Sequence, residues 1–207
     1  MNPSSIDVVA FDCDGVMFDS SEANRAYYNQ VLGHLGLPAM NTEQAAYAQM
    51  HTVDESLRHL IEDDHDLEAA RQYRRQMSYH DFIPHMTIEP HLKSLLDKLR
   101  PAFKTAIATN RTDTMDRVLA EHDLERRFDL VVTALDVDHP KPNPQQLYLI
   151  MNHFAIAPDR MIYIGDSELD AQAAQAAQVP FIAYRNDQLP ARVHVHSLRQ
   201  VEELLGF

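Results

Sequence analysis

A chain of 207 residues, 45% hydrophobic and 24% charged, is long enough for one good core, or one core plus a modest insertion, in an ordinary soluble globular protein. Its formal net charge of −13 argues against nucleic acid as a partner, because neutralising phosphates takes clustered Lys and Arg. A single cysteine, Cys13, excludes an internal disulfide framework and any cysteine-cluster metal site, and no apolar run approaches the roughly 18–20 residues that cross a bilayer.

The N-terminal stretch MNPSSIDVVAFD has no basic region ahead of its apolar run and does not read as a secretory signal. A cytoplasmic location without a membrane partner is expected. Residues 6–12 of that stretch form a short β-rich run, too short for a stable helix. It runs straight into Asp12, Asp14 and Asp19, with the chain's first glycine, Gly15, between them. One reading is a buried strand followed by a polar turn. The other is a strand that delivers two carboxylates, two residues apart, to a metal and a phosphate.

From Glu22 to about Tyr79 helix formers dominate. The segment LGHLGLPAMN, residues 32–41, is a helix stop, and Asn41 or Thr42 can cap the next helix. Helices are predicted at 42–50, 53–63 and 66–80, followed by a linker-like break, FIPHMTIEP, at 82–90. Beyond it strands and helices alternate. KTAIATN (104–110) precedes a helical TDTMDRVLAEHD, and FDLVVTAL (128–135) precedes a proline-rich loop and the helix PQQLYLIMNHF (144–154). RMIYIGD (160–166) precedes the helical SELDAQAAQAAQ, and PFIAY (180–184) follows. Such alternation predicts an α/β fold with a parallel sheet built by right-handed crossovers. The roughly sixty helical residues after the first strand are too many for a loop and predict a small domain of their own.

Ligands of an open parallel sheet sit at the carboxyl ends of its strands. Those ends carry Asp12, Asp14 and Gly15; then Thr109 and Asn110; then Lys141 within HPKPNP; then Gly165, Asp166, Ser167 and Asp170. All suit phosphate or a hard cation. As background, Gly15 and Gly165 can be turn glycines and Lys141 a solvated loop charge. Only five glycines occur in the chain, however, and prolines stiffen the lysine loop on both sides. The twelve histidines are scattered, without an HExxH-like pair, and read as surface or partly buried polar residues.

DCDGVMFD, ATN, KPNP and GDSELD resemble, in order and spacing, the four motifs of the haloacid dehalogenase-like (HAD) superfamily, over about residues 6 to 184. The resemblance implies a Rossmann-like doubly wound parallel sheet formed by residues 1–20 and 82–207, with an α-helical cap formed by 21–81. It implies Asp12 as nucleophile, a carboxylate able to take up a phosphoryl group as an acyl phosphate. Asp14 would protonate the leaving oxygen and later deprotonate the attacking water. Asp12 and Asp166, with the Asp14 backbone carbonyl, would hold Mg²⁺, a cation that prefers hard oxygen ligands. Thr109, the Asn110 amide and Lys141 would meet the phosphoryl oxygens. Asp170, one helical turn after Asp166, would hold metal-bound water or Lys141. Without a cation, four carboxylates this close predict raised pKa values. Asp19 reads as a turn residue and Cys13 as packing.

Within the family, Asp14 speaks against a metal-free dehalogenase. No lysine precedes Lys93, so the insertion cannot supply the Schiff-base lysine of a phosphonatase. A β-phosphoglucomutase-like reading is weakened by Asn24, where that group carries histidine, and by the missing cap lysine, although Arg58, Arg71, Arg74 or Arg75 can substitute. The expected activity is a Mg²⁺-dependent phosphomonoesterase similar to phosphoglycolate phosphatases, acting on a small phosphorylated metabolite, as monomer or homodimer. The alternative of another class is a catalytically silent phosphate-binding or regulatory protein. Asn24, His51 and Thr52 in the cap are candidate substrate contacts. Arg111 either reaches an anionic substrate or sits on the following helix.

Overall fold

The computed structural model describes residues 5–207; the first four residues of the N-terminal stretch lie outside the described residues. The chain divides into two units, one comprising the chain up to Phe18 together with Ile88–Phe207, the other Asp19–Thr87.

The first unit is built on six parallel strands: β1 (Val8–Phe11), β4 (Lys104–Ala108), β5 (Leu130–Val132), β6 (Met161–Gly165), β7 (Phe181–Tyr184) and β8 (Val193–Val195). Their order is β5-β4-β1-β6-β7-β8. Strand β1 therefore lies between β4 and β6, with Phe11 opposite both Ile107 and Ile164. The order reverses at β1, which is where an open parallel sheet leaves a crevice beyond its carboxyl ends. Val8–Phe11 is entirely buried, as a central strand of a two-sided sheet requires.

Successive side chains of β1 point to opposite faces. Val8 and Ala10 join Ala106, Ala108, Met161 and Tyr163 in one core cluster with α7 (Gln145–Phe154) and α8 (Glu168–Ala177). Helices α5 (Leu92–Leu99) and α9 (Leu198–Leu204) pack on each other; Leu92, Leu95, Leu96, Leu99, Leu198 and Val201 are all buried. Helix α6 (Met115–Glu121) follows β4.

The second unit holds α1 (Ser21–His34), α2 (Thr42–Met50), α3 (Val53–Leu60) and α4 (Asp64–Gln76), followed by short 3-10 turns at Tyr79–Asp81 and Ile83–His85. Helix α1 packs on α2 and α4, and α3 on α2 and α4. Tyr27, Tyr28, Val31 and Leu32 of α1 are buried, and Tyr27 meets Tyr28, Tyr79 and Phe82 edge-on. Asn41 caps α2 by accepting from the Gln44 N–H at 2.8 Å, and the Gln44 side chain returns a bond to Asn41 N–H.

Several element limits differ from the sequence expectation. Helix α4 spans Asp64–Gln76 rather than 66–80, because Asp63 caps it earlier and the chain turns extended at Met77. The helix expected from Thr112 begins only at Met115. The strand expected over 128–135 is Leu130–Val132, since Thr133 closes a capping box with Asp136 and turns the chain into a 3-10 helix, Ala134–Asp136. Residues 82–90 contain β3 (Thr87–Ile88), which forms a two-stranded sheet with β2 (Phe18–Asp19). No helix among the described residues is long and apolar enough to cross a membrane.

Candidate active site

The carboxyl end of β1 turns back on itself at once. Gly15 N–H donates to Phe18 O at 2.8 Å, and Met17 and Phe18 N–H both donate to Cys13 O. Gly15 adopts φ +82°, a conformation open to glycine and strained for other residues. The turn holds Asp12 and Asp14 at the strand end, and Asp12 N–H is tied to Ile164 O of β6 at 2.9 Å.

Lys141 is the hub. Its Nζ lies 2.8 Å from Asp12 Oδ1, 2.7 Å from Asp170 Oδ1 and 2.9 Å from the Tyr163 hydroxyl. The lysine is only 3% exposed and Asp170 not at all. Tyr163 lies 2.6 Å from Asp170 Oδ1 and 3.0 Å from Ala108 O, so its single proton serves one of these acceptors at a time. Ser167 caps α8, donating from its backbone N–H and its hydroxyl to Asp170 Oδ2 at 3.1 and 2.6 Å. This cap orients Asp170 toward the lysine.

The lysine loop is held by its neighbours. The Asn110 side-chain amide donates to Lys141 O at 3.0 Å. Gln146 of α7 spans the gap between strands, donating to Thr109 O at 2.6 Å and accepting from Lys141 N–H at 3.4 Å. Asn110 is thus engaged through its side chain on the loop that carries Lys141, a role the sequence does not announce. Thr109 is 1% exposed, and its hydroxyl oxygen accepts from the Arg111 N–H at 3.1 Å, which leaves the hydroxyl proton available to an anion. Arg111 precedes α6 rather than sitting on it. Its Nη2 lies 2.6 Å from Asp14 Oδ1, both side chains being nearly buried.

Asp12, Asp166 and Asp170 bring one carboxylate oxygen each within 4.8 Å of one another. Burial pushes the Asp12 carboxyl up to about 7 against the pull of Lys141, with Asp170 adding repulsion. Asp166 is pushed well above the usual carboxylate range by burial, then by Asp170 and Asp12. Burial also acts to raise Asp170, yet Lys141 and the bonds from Ser167 and Tyr163 outweigh it and hold that group low. Lys141 is raised: burial opposes its charge, but Asp12 and Asp170 more than compensate. The raised carboxylates are those that a cation would relieve. Asp166 is further placed by Asn186, whose side-chain amide donates to its carbonyl at 2.9 Å.

Cys13 is fully buried and burial pushes its thiol well up, which suits packing rather than nucleophilic work. The Asp19 carboxylate accepts from both the Ser21 N–H and the Ser21 hydroxyl, the turn role expected of it. Tyr163, Gln146 and Asn186 are site residues that sequence reasoning missed. Tyr163 is the only polar-tipped side chain within MIYIG, and that was its one available signal.

The remaining candidates belong to the helical unit. Asn24 donates to Gln49 Oε1 at 2.8 Å and accepts from the Tyr79 hydroxyl at 2.9 Å, so it is tied into that unit's own packing. The His51 ring stacks on Tyr47, centroids 3.7 Å apart. Thr52 caps α3 in a reciprocal box with Glu55. Val53, Asp54, Leu57, Arg71, Arg74 and Arg75 line a cavity of ≈150 Å³ in the same unit. Arg71 is paired there with Asp54 at 2.5 Å, and the Arg74 Nε donates to the Tyr27 hydroxyl.

A six-stranded parallel sheet, flanked by helices and carrying an acidic cluster and a buried lysine at its switch point, is an α/β enzyme scaffold of the doubly wound type. The chain matches the haloacid dehalogenase-like hydrolase family over residues 9–184 and belongs to that family. Among curated relatives, the phosphoglycolate phosphatase of Aliivibrio fischeri is 28% identical over 183 residues, covering 83% of this chain and 81% of its own. Among solved structures, a HAD-superfamily hydrolase of subfamily IA, variant 1, from Geobacter sulfurreducens superposes with TM-score 0.81 at 37% identity, covering 98% of this chain and 97% of its own. A β-phosphoglucomutase from Clostridium difficile reaches TM-score 0.83 at 19% identity over 97% of each chain, a likeness of fold alone.

Proposed function

We propose that the protein is a Mg²⁺-dependent phosphomonoesterase that hydrolyses a small phosphorylated metabolite through an aspartyl-phosphate on Asp12. The single observation that carries this reading is the Lys141 ammonium bridging Asp12 and Asp170 at 2.8 and 2.7 Å at the sheet's switch point. The curated phosphoglycolate phosphatases support it as relatives of similar length.

In this reading Asp12 attacks phosphorus, and the lysine fixes which of its oxygens is presented. Thr109 donates its hydroxyl to a phosphoryl oxygen and Lys141 neutralises developing charge. Asp14 passes a proton to the leaving oxygen, then takes one from the water that cleaves the acyl phosphate. Asn110 and Gln146 keep the lysine loop in register with the end of β4.

The donor set fits a small hard cation: three carboxylates, two with raised affinity for protons, gathered within 4.8 Å. Asp12 and Asp166, with the Asp14 carbonyl, would hold Mg²⁺, while Asp170 holds the lysine. Bound there, the cation would supply charge neutralisation of the phosphoryl group and of the carboxylates around it. Residues 21–81 are proposed as the cap that selects the substrate, and a cytoplasmic monomer or homodimer is part of the same proposal.

The test is phosphate release from a panel of monoesters, including phosphoglycolate, sugar phosphates and nucleotides, with Mg²⁺ and with chelator. Metal-dependent release from at least one small ester is expected. Silence across the panel under both conditions would contradict the proposal.

A further inference from the structure

Arg111 is the second cation of the strand-end cluster, and it is placed as firmly as Lys141. Its backbone N–H donates to Thr109 Oγ1 at 3.1 Å and its carbonyl accepts from the Ala134 N–H at 2.9 Å. Nη1 reaches Thr114 Oγ1 at 3.3 Å and Nη2 reaches Asp14 Oδ1 at 2.6 Å. Side-chain exposure is 6% for Arg111 and 12% for Asp14. The guanidinium is therefore delivered, by the residue after Asn110, to the same strand end where a phosphoryl group would meet Thr109.

The pairing conflicts with the work assigned to Asp14. A guanidinium 2.6 Å from Asp14 Oδ1 pairs with the ionised carboxylate and fixes its orientation, whereas delivery of a proton to a leaving-group oxygen needs the carboxyl protonated and turned to that oxygen. A phosphoryl group offers the guanidinium the same kind of partner, with more charge and more acceptor oxygens. Among the described residues, Lys141 already pairs with Asp12 and Asp170 and Arg111 with Asp14, so a phosphoryl group that meets the guanidinium does so in competition with Asp14.

We propose that Arg111 exchanges partners: it holds Asp14 in the ligand-free protein, and the incoming phosphoryl group takes over the guanidinium and releases Asp14 to the leaving-group oxygen. Arg111 is thus a phosphate-binding residue masked by Asp14, and ligand binding itself frees the proton-transfer group. The inference rests on the phosphomonoesterase reading above.

The test is a double-mutant cycle on binding, with inorganic phosphate titrated calorimetrically in saturating Mg²⁺ into the wild type, Asp14→Asn, Arg111→Ala and the double variant. Losing a charged hydrogen-bond partner corresponds to roughly a tenfold change or more. Asp14→Asn is expected to bind phosphate at least about tenfold more tightly than the wild type, and adding Arg111→Ala is expected to remove at least that gain. If Arg111→Ala fails to fold, Arg111→Gln carries the same expectation. Tighter binding by Asp14→Asn that Arg111→Ala leaves intact would reduce the effect to relief of repulsion and overturn the exchange. Unchanged binding by Asp14→Asn, or no phosphate binding by any variant, would overturn it too. Ester hydrolysis by the wild type is read separately. Coupled binding without turnover would overturn the catalytic reading alone, and turnover without coupling the exchange alone.

Discussion

A Cβ on Gly15 would lie 2.0 Å from Asp166 Oδ2, so the turn after β1 and the acidic residue after β6 are fitted to each other with no room for a side chain. The same closeness recurs at Gly165, where a Cβ would lie 2.4 Å from Asp170 Cβ. Two of the chain's five glycines are thus set by contact with the carboxylates of the site.

Gly15→Ala is expected to displace Asp166 and to strain a backbone held at φ +82°, at a cost on the order of 1–3 kcal/mol. Mg²⁺ affinity, followed by calorimetry, is expected to fall about tenfold or more as Asp166 moves. Gly36, at φ +71° with nothing near its Cβ position, is the control: Gly36→Ala shares the backbone strain and is expected to leave Mg²⁺ affinity unchanged.

Lys141→Met removes the one ammonium shared by Asp12 and Asp170 and leaves two buried carboxylates facing each other. In metal-free protein the expected loss is about 3–5 kcal/mol, measured from urea unfolding. Mg²⁺ is expected to recover part of that loss while phosphate-ester turnover stays abolished.

The acidic cluster also sets how metal-free stability varies with pH. Asp12 is raised to about 7 and Asp166 is raised as well, so between about pH 4 and 7 the folded state binds protons that the unfolded chain has released. Stability of the chelated protein is therefore expected to fall as pH rises through that window. Asp170, held low, acts with the opposite sign: its contribution is present above its unfolded pKa and is lost in more acidic solution. Urea midpoints in chelator, taken from pH 4.5 to 7.5, check the trend, and saturating Mg²⁺ is expected to reverse it.

In the helical unit, Thr52 accepts from the Glu55 N–H and Glu55 reaches back to the Thr52 N–H at 2.9 Å. Thr52→Ala is expected to cost about 1 kcal/mol through α3, seen as a lowered melting temperature. Thr52→Ser is expected to restore it. A raised KM that Ser does not rescue would point instead to a substrate contact.

The alternation of strands and helices after Lys104 and the polar groups that follow β1, β4, β5 and β6 were legible because a parallel sheet needs crossovers and concentrates its chemistry at one edge. Leu92, Leu95, Leu96 and Leu99 repeat at helical spacing, so α5 was legible in principle behind the linker that precedes it. The three-residue β8 gives no periodic signal, and α9 is only seven residues long. Asp12, Lys141 and Asp170 stand together although 129 residues separate the first two. The contact of Lys141 and Asp170 with the Tyr163 hydroxyl was not legible, because a tyrosine within a buried strand reads as core until its hydroxyl is given partners. Thr52 and Asn24 show the converse: each suits a ligand by type, and each is used by its own unit for capping or packing.

The most direct test of the proposed chemistry is to quench the protein in acid during turnover of a radiolabelled phosphate ester with Mg²⁺ and to measure phosphate bound to the chain. A phosphoprotein is expected, its label released by hydroxylamine as phosphate is from an acyl phosphate, and no such label is expected on Asp12→Asn. Steady turnover with no protein-bound phosphate, or labelling that persists in Asp12→Asn, would contradict that chemistry.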